Sequence, residues 1–177
     1  MDLTLKPKRI GNLYLREIEV SDYLDYFEIG SDLETVKYLN WGPFIKPIEA
    51  KYVIEEIFRK RWDDNLPYGY AITLDDRMIG MIDFHSINQK SNSIEIGYFL
   101  KRDYWGLGYM RKCANYMVNL AFSMGYDKVV IGSVVDNLRS VRLIESLGFK
   151  YEYQTLAQLN NNTYCIANYY AKYKNEE

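Results

Sequence analysis

Apolar and polar positions alternate along this chain with two different periods. Where apolar residues recur at every second position, the pattern predicts a strand, and where they recur three and four positions apart, it predicts a helix. Strands are predicted at residues 12–19, 68–74, 78–85, 93–100, 128–134, 150–157 and 163–171. Helices are predicted at about residues 22–29, 33–39, 49–62, 110–124 and 137–147. Both kinds of element are therefore expected along the whole length of the chain.

The order of these elements predicts an α+β fold of the sandwich type. Short turns join the three strands between residues 68 and 100, which is typical of an antiparallel meander. The helix at 110–124 then leads to the strand at 128–134, a connection typical of a parallel crossover. We expect one mixed central sheet of about seven strands with helices on both faces. Because no repeat or Pro/Gly/Ser-rich linker interrupts the chain, residues 1–177 are predicted to form a single domain.

Composition excludes several classes of partner. The formal net charge is -2 and no basic cluster is present, so a direct nucleic-acid partner is not expected. No run approaches about 18 apolar residues, and the N-terminus has no apolar signal segment, so we expect a cytoplasmic protein without a membrane partner. The two cysteines, Cys113 and Cys165, do not have the spacing of a metal site, and no metal is predicted.

A glycine-containing loop follows the strand at 93–100 and leads directly into a helix. Such a helix start offers unpaired backbone N–H groups and the positive end of the helix dipole, and Gly106 and Gly108 let the backbone approach a ligand closely. Arg111 and Lys112 lie in the first turn, where a cation is unfavourable unless an anion is bound. The pattern favours a phosphate site, although an ordinary tight turn would also need the two glycines.

The residues around this loop resemble a known family. The runs IEIGYFLKRDYWGLGYM at 94–110 and DNLRSVRLIESLGF at 136–149 resemble the GNAT superfamily, in particular its ribosomal-protein N-terminal (Rim-like) branch. The resemblance implies an acetyl-CoA-dependent N-acetyltransferase with the GNAT fold. It also implies that the acetyl group passes directly from the thioester to a primary amine.

The resemblance further implies where acetyl-CoA binds. The glycine loop would hold the pyrophosphate by backbone N–H groups, and the end of the preceding strand would hold the pantetheine arm. For Asn137 and Ser140, capping of the last predicted helix is an alternative interpretation to cofactor binding. The implied cofactor-binding residues are Tyr98, Phe99, Leu100, Trp105, Gly106, Leu107, Gly108, Tyr109, Met110, Arg111, Asn137 and Ser140. Met110 departs from the family pattern, which has Gly or Ala at this position, and we expect its side chain to turn into the core.

Glu95 is the predicted catalytic base, acting through a water molecule. In histone-type relatives the glutamate lies one residue earlier, at Ile94 here, and a shift of one residue along a strand reverses the face. A bulge near Gly97 would restore the face of Glu95. Asp83 and His85 are alternative bases, because residues two apart on a strand share one face. A solvated glutamate with no catalytic role is a further interpretation of Glu95.

Ser140 is the second predicted catalytic residue. Many members of the superfamily use a tyrosine to protonate the departing thiolate, and this chain has Ile144 at that position. Ser140 occupies a position that the branch tends to keep, and it would assist the leaving group. This assistance is expected to be modest, because a thiol with a pKa near 8.5 leaves readily.

The acceptor implied by the branch is the N-terminal α-amine of a protein or peptide, possibly including a ribosomal protein. Small amines such as a polyamine, an amino acid or an aminoglycoside are alternatives, and the acidic pairs at 55–56, 63–64 and 75–76 would suit a polycation. A catalytically inactive acyl-CoA sensor is the alternative from another functional class. Family resemblance also suggests a homodimer.

Overall fold

One mixed sheet forms the centre of the fold. The structure, a computed structural model, describes residues 5–63 and 69–175, and within them the sheet has eight strands. They are β1 (Lys8–Ile10), β2 (Leu13–Arg16), β3 (Tyr70–Leu74), β4 (Arg77–Asn88), β5 (Ser93–Leu100), β6 (Lys128–Val134), β7 (Lys150–Gln158) and β8 (Tyr164–Tyr173). Their spatial order is β1-β2-β3-β4-β5-β6-β8-β7, and only β5 and β6 pair in parallel. The predicted class and mixed sheet are confirmed, with eight strands where about seven were predicted.

The additional strand is β1, which pairs with β2 across a tight turn. Its three residues are exposed or half-buried, so no alternation of apolar and polar side chains marks the segment as a strand. Gly11 supplies the turn with a φ of 62°, a conformation that glycine adopts without strain. The predicted start of β3 at Tyr68 lies outside the described residues.

Helices cover both faces of the sheet, as predicted. They are α1 (Tyr23–Ser31), α2 (Leu33–Val36), α3 (Pro47–Val53), α4 (Arg59–Asp63), α5 (Tyr109–Ser123) and α6 (Leu138–Ser146). On one face, α5 and α6 bury Cys113 and Ile144 in a core with Ile82. On the other face, α1 contributes Tyr26 to a second core with Met81. None of the helices in the described part of the chain is long and apolar enough to cross a membrane.

Three predicted helices differ from the structure in their bounds. The helix predicted at 33–39 ends at Val36, the last residue of α2. The helix predicted at 49–62 is divided into α3 and α4 by a π-helical segment, Ile54–Phe58. The helix predicted to begin at Ser21–Asp22 is preceded by a 3-10 turn, Val20–Asp22. Asp22 does not cap α1, because its carboxylate accepts two hydrogen bonds from Arg16, at 2.7 and 2.8 Å.

The parallel strands β5 and β6 separate towards their carboxyl ends. Their paired residues in the described chain are Ser93 with Lys128, Ile94 with Val129, and Glu95 with Val130. Beyond Glu95, β5 continues for five residues that pair with β4 on its other side. Within the described chain, residues 96–100 therefore have no paired strand on the β6 side. The amino ends of α5 and α6 lie beside this opening in the sheet.

Candidate active site

The glycine loop has the backbone conformation that a phosphate cradle requires. Gly106 and Gly108 both have a φ of 76°, in the left-handed region that favours glycine. A Cβ atom added to either residue would meet nothing within 4 Å, so the space above the loop is open. Gly108 is the N-cap of α5 and has no side chain to accept from the first-turn amides. The N–H groups of Tyr109, Met110 and Arg111 therefore have no intrahelical partner.

The side chain of Met110 does not obstruct this loop. It is 8% exposed and belongs to the core that α5 forms with the sheet, as the sequence predicted. The interior thus accommodates the long side chain of Met110. The first-turn amides of α5 remain available to an anion.

Trp105 fixes the loop to its surroundings. Its indole Nε1 donates a hydrogen bond of 2.7 Å to the carbonyl oxygen of Leu100, at the end of β5. The guanidinium of Arg139 stacks on the indole ring, 3.6 Å from the ring centroid. Arg139 was not identified from the sequence, although a cation in the first turn of α6 is the same signal that Arg111 gives in α5.

A cleft of about 400 Å³ lies between the end of β5, the glycine loop and α6. All predicted cofactor-binding residues line this cleft except Leu107, whose side chain is exposed. Leu107 can therefore contribute only backbone groups. Three arginines also line the cleft, Arg111, Arg139 and Arg142. Open left-handed glycines, uncapped amides and arginines are suited to polyanionic phosphate, so the residues present fit coenzyme A.

Asn137 caps α6, and Ser140 connects this helix to β5. The Asn137 side chain caps α6 by accepting from the backbone N–H of Ser140 at 3.3 Å, which confirms the capping interpretation. The Ser140 hydroxyl lies 2.9 Å from the hydroxyl of Tyr98 on β5. Burial raises the pKa of Tyr98 to about 12, although the hydrogen bond with Ser140 lowers it. Tyr98 is therefore a neutral hydroxyl at physiological pH.

A second cavity, of about 910 Å³, adjoins the first. Six residues line both spaces, namely Tyr38, Leu39, Tyr98, Phe99, Asn137 and Ser140. The two spaces are thus adjacent at the Tyr98–Ser140 pair, beside the opening between β5 and β6. A ligand in the cleft and a ligand in the cavity would meet at this pair of hydroxyls.

The structure brings all three predicted bases into the second cavity. His85 Nε2 lies 3.2 Å from Glu95 Oε1, and His85 Nδ1 lies 3.6 Å from Asp83 Oδ1. The register irregularity that permits this lies in β4, where His85 is skipped, and not in β5 near Gly97 as predicted. Gly97 leaves room for the imidazole, because a Cβ there would lie 2.9 Å from His85 Nδ1.

The cluster carries alternating charges. Burial lowers the pKa of His85, but hydrogen bonds with Asp83 and Glu95 outweigh it and raise the pKa to about 9. Arg61 lies 3.4 Å from the other oxygen of Asp83. Since a protonated imidazole cannot accept a proton, the geometry favours a carboxylate over His85 as the base at neutral pH.

Comparison with known proteins identifies the sequence family. A family model described as "Acetyltransferase (GNAT) domain" matches residues 12–150. The N-acetyltransferase p20 of Bacillus licheniformis is 28% identical, covering 79% of this chain and 80% of p20. The ribosomal-protein-serine acetyltransferase of Escherichia coli is 30% identical over 76% of each chain. The spermidine N(1)-acetyltransferase of Vibrio cholerae is 25% identical, covering 80% of this chain and 81% of that enzyme.

Solved structures share the fold. An acetyltransferase of the GNAT family from Bacillus anthracis superimposes with a TM-score of 0.82 at 20% identity, covering 97% of this chain and 100% of that chain. The microcin C7 self-immunity acetyltransferase MccE, solved with acetyl-CoA and AMP, gives a TM-score of 0.81 at 19% identity over 93% of each chain. The eight-stranded architecture is therefore that of a known acetyltransferase fold.

Proposed function

This chain belongs to the GNAT family of acetyltransferases, and from that premise we propose that it acetylates the N-terminal α-amine of a protein or peptide. It is an acetyl-CoA-dependent N-acetyltransferase. We further propose that residues 1–177 form one catalytic domain and that the protein is located in the cytoplasm. We also propose that its acceptors include the N-terminus of a ribosomal protein.

The adjacency of the cleft and the cavity at Tyr98 and Ser140, which line both, is the observation that carries the proposal. The cleft has the phosphate-binding features, so the backbone N–H groups of the glycine loop and the open edge of β5 would hold the cofactor. When bound, acetyl-CoA supplies the activated acetyl group. The second cavity would hold the amine, with Glu95 on its wall and the Ser140 hydroxyl at the junction.

Glu95, Tyr98 and Ser140 have distinct roles in this proposal. Glu95 accepts a proton from the acceptor ammonium, directly or through water, while His85 holds one carboxylate oxygen in place. Tyr98 stays protonated and holds the Ser140 hydroxyl at 2.9 Å. Ser140 then has a hydroxyl hydrogen with which to stabilise a developing negative charge on sulfur.

An α-amine makes a smaller demand on the base than a lysine side chain. With a pKa of about 7.7–8.0, roughly a tenth of an α-amine is already neutral at pH 7. A lysine with a pKa of about 10.4 is neutral in well under about one part in a thousand. A site whose candidate base is a glutamate bound to a cation is therefore better suited to an α-amine.

A small polyamine is the second candidate, because one relative is a spermidine acetyltransferase. Its recognition would require carboxylates free to bind additional ammonium groups. Of the acidic residues in the described chain, Asp83 and Glu95 line the cavity, and both are paired with cations. The acidic pair at 55–56 is paired with Lys51 and Lys60, and Asp64 lies outside the described residues. The charge distribution therefore supports the α-amine.

Family resemblance also leads us to propose a homodimer. The terminal hairpin formed by β7 and β8 carries exposed apolar side chains, including Tyr164, Leu156 and Ile166. Sedimentation equilibrium would measure the mass in solution. A monomer of about 21.0 kDa at all concentrations would contradict this part of the proposal.

A thiol-release assay with acetyl-CoA tests the acceptor assignment. The panel should contain peptides with free N-termini, the same peptides with blocked N-termini and an internal lysine, and spermidine. We expect turnover of the free N-termini in preference to the others. Thermal protection by CoA without turnover of any amine would instead support the acyl-CoA sensor, and absence of CoA binding would contradict the family-based assignment of the cleft.

A further inference from the structure

One wall of the second cavity, from here on called the acceptor cavity, is aromatic. Tyr26 is the centre of this wall, and it contacts four other rings at centroid distances between 5.1 and 5.9 Å. We call these five residues the aromatic cage, and they are Tyr26, Trp41, Phe44, Phe58 and Phe99. Except for Tyr26, their rings are half-buried, so part of each ring faces the cavity. Such a surface gives an apolar side chain a large area to pack against.

The charged residues of the cavity do not leave an unpaired charge. In the described chain its charged lining consists of Arg61, Asp83, His85 and Glu95, and each carboxylate has a cationic neighbour within 3.6 Å. The cavity therefore requires no charged group on the acceptor other than the amine that is to be acetylated. A second cation or an acidic side chain on the acceptor would have no free partner there.

The hydroxyl of Tyr26 lacks a hydrogen-bond partner among the described residues. The residue is 2% exposed and lines the cavity, and burial raises the pKa of its hydroxyl above the ordinary value. Buried hydroxyl groups are almost always hydrogen-bonded, and an unmet one is destabilising. A polar atom of a bound acceptor is the partner that the cavity can supply.

We propose that the acceptor is an α-amine on an apolar N-terminal residue, with its side chain packed against the aromatic cage and its carbonyl oxygen accepting from the Tyr26 hydroxyl. An N-terminal residue carries the amine, the side chain and the carbonyl on one Cα, so a single group can satisfy all three features of the cavity. The inference rests on the proposed function and specifies its acceptor.

Peptides that differ only in the first residue test the side-chain preference. With Leu, Phe, Ser or Asp at that position, we expect kcat/KM to be at least about tenfold higher for Leu and Phe than for Ser, and lowest for Asp. Equal or better turnover of the Ser peptide, or of spermidine, would overturn the inference while leaving the acetyltransferase assignment intact. Turnover of none of them would remove the proposed function as well.

The variants Tyr26→Phe and Tyr23→Phe test the hydroxyl. Both tyrosines lie on α1, and only Tyr26 lines the cavity. Tyr26→Phe should lower kcat/KM for the Leu peptide about tenfold. It should change turnover of 3-methylbutylamine, which has the leucine side chain and amine but no carbonyl, by less than about twofold. Equal losses for both acceptors, or the same loss in Tyr23→Phe, would contradict the hydrogen bond.

Truncation of one ring of the aromatic cage tests the apolar contact. The measured quantity is the ratio of kcat/KM for the Leu and Ser peptides, which does not depend on the amount of folded enzyme. Phe58→Ala should lower the Leu-to-Ser ratio of kcat/KM by about fivefold or more, with CoA affinity unchanged. A ratio equal to that of the wild type would show that the cage does not contact the side chain.

Discussion

Glu95 is bound to His85, and this pairing bears directly on its predicted role as a base. The 3.2 Å contact fixes one carboxylate oxygen and leaves the other to accept a proton. Since an α-amine is already about a tenth neutral at pH 7 and a lysine is not, the base should matter more for lysine. The two kinds of acceptor therefore give different results when the carboxylate is removed.

The variant Glu95→Gln measures this difference. We expect kcat to fall about a hundredfold for the side chain of an N-terminally blocked lysine peptide, and about tenfold for a free α-amine. Steady-state kinetics on the two peptides, with CoA affinity as a control for folding, gives the comparison. Equal and negligible losses would remove Glu95 from the mechanism.

His85 gives the stability of the protein a component that depends on pH. Its pKa is about 9 in the folded protein, above the ordinary value of 6.5, because it lies beside Asp83 and Glu95. A raised pKa stabilises the fold fully below pH 6.5, and this stabilisation is lost as the pH rises through about 9. Because 36% of the side chain is exposed, solvent screening limits the effect to about 1 kcal/mol.

His85→Gln isolates this component. Urea unfolding of both proteins at pH 6 and at pH 9.5 should show that the wild type loses about 1 kcal/mol more free energy of unfolding than the variant over this interval. Arg61, Tyr26, Tyr153 and Tyr169 lie near the two carboxylates and are present in both proteins, so their titration cancels in the comparison. An identical pH dependence in both proteins would contradict the imidazolium at this position.

At the scale of single elements, substitution of Gly108 in the glycine loop tests cofactor binding, and the same substitution of Gly11 is its control. Gly108 and Gly11 both have positive φ and open space around the missing Cβ. A substitution at either should therefore destabilise the fold by a similar amount, about 1–2 kcal/mol. Only Gly108 lines the cleft, and Gly11 lies in the β1–β2 turn.

Gly108→Trp and Gly11→Trp should consequently differ in one property. We expect Gly108→Trp to reduce CoA affinity more than about a hundredfold, because its side chain would occupy the space above the first-turn amides of α5. Gly11→Trp should bind CoA like the wild type. Isothermal titration calorimetry and thermal denaturation measure the two effects separately, and unaltered affinity in Gly108→Trp would place the phosphates elsewhere.

The elements that the sequence predicted best lie around the cleft and the second cavity. β5 and β6 agree with their predicted limits to the residue, and α5 begins one residue earlier than predicted. Glycines or polar residues lie within two positions of each end, so both the period and the approximate limits follow from the local sequence. The π-helical segment between α3 and α4 and the short exposed β1 have no comparable local signal.

The acceptor side of the site was less predictable, because its geometry depends on contacts between distant segments. Asp83, His85 and Glu95 were identified as candidate bases, but their common cluster depends on the skipped residue in β4. Such an irregularity follows from how two strands pair, which local periodicity does not record. The stacking of Arg139 on Trp105 likewise joins segments that only the folded sheet brings together.

At the scale of the whole molecule, Asn160 joins the β7–β8 turn to residues 36–41 at the wall of the acceptor cavity. Its side-chain amide donates to the carbonyl oxygens of Val36 at 2.9 Å and Trp41 at 3.2 Å, and its backbone N–H donates to Leu39 at 3.0 Å. The turn between β7 and β8 is thereby held against the segment between α2 and α3. Leu39, Trp41 and Asn160 all line the cavity, so these bonds determine its shape.

Removal of this amide should therefore affect acceptor binding more than cofactor binding. Asn160→Ala removes the side-chain donor from the carbonyl groups of Val36 and Trp41, of which that of Val36 keeps the backbone N–H of Leu39 at 2.9 Å. We expect a loss of about 1–2 kcal/mol in the free energy of unfolding. Because the segment carrying Trp41 is then less well held, KM for the peptide should rise several-fold while CoA affinity changes little. Asn161→Ala is the control, since the Asn161 side chain accepts only local hydrogen bonds from Thr163. If both variants raise KM equally, or neither does, the contacts of Asn160 across the cavity do not control acceptor binding.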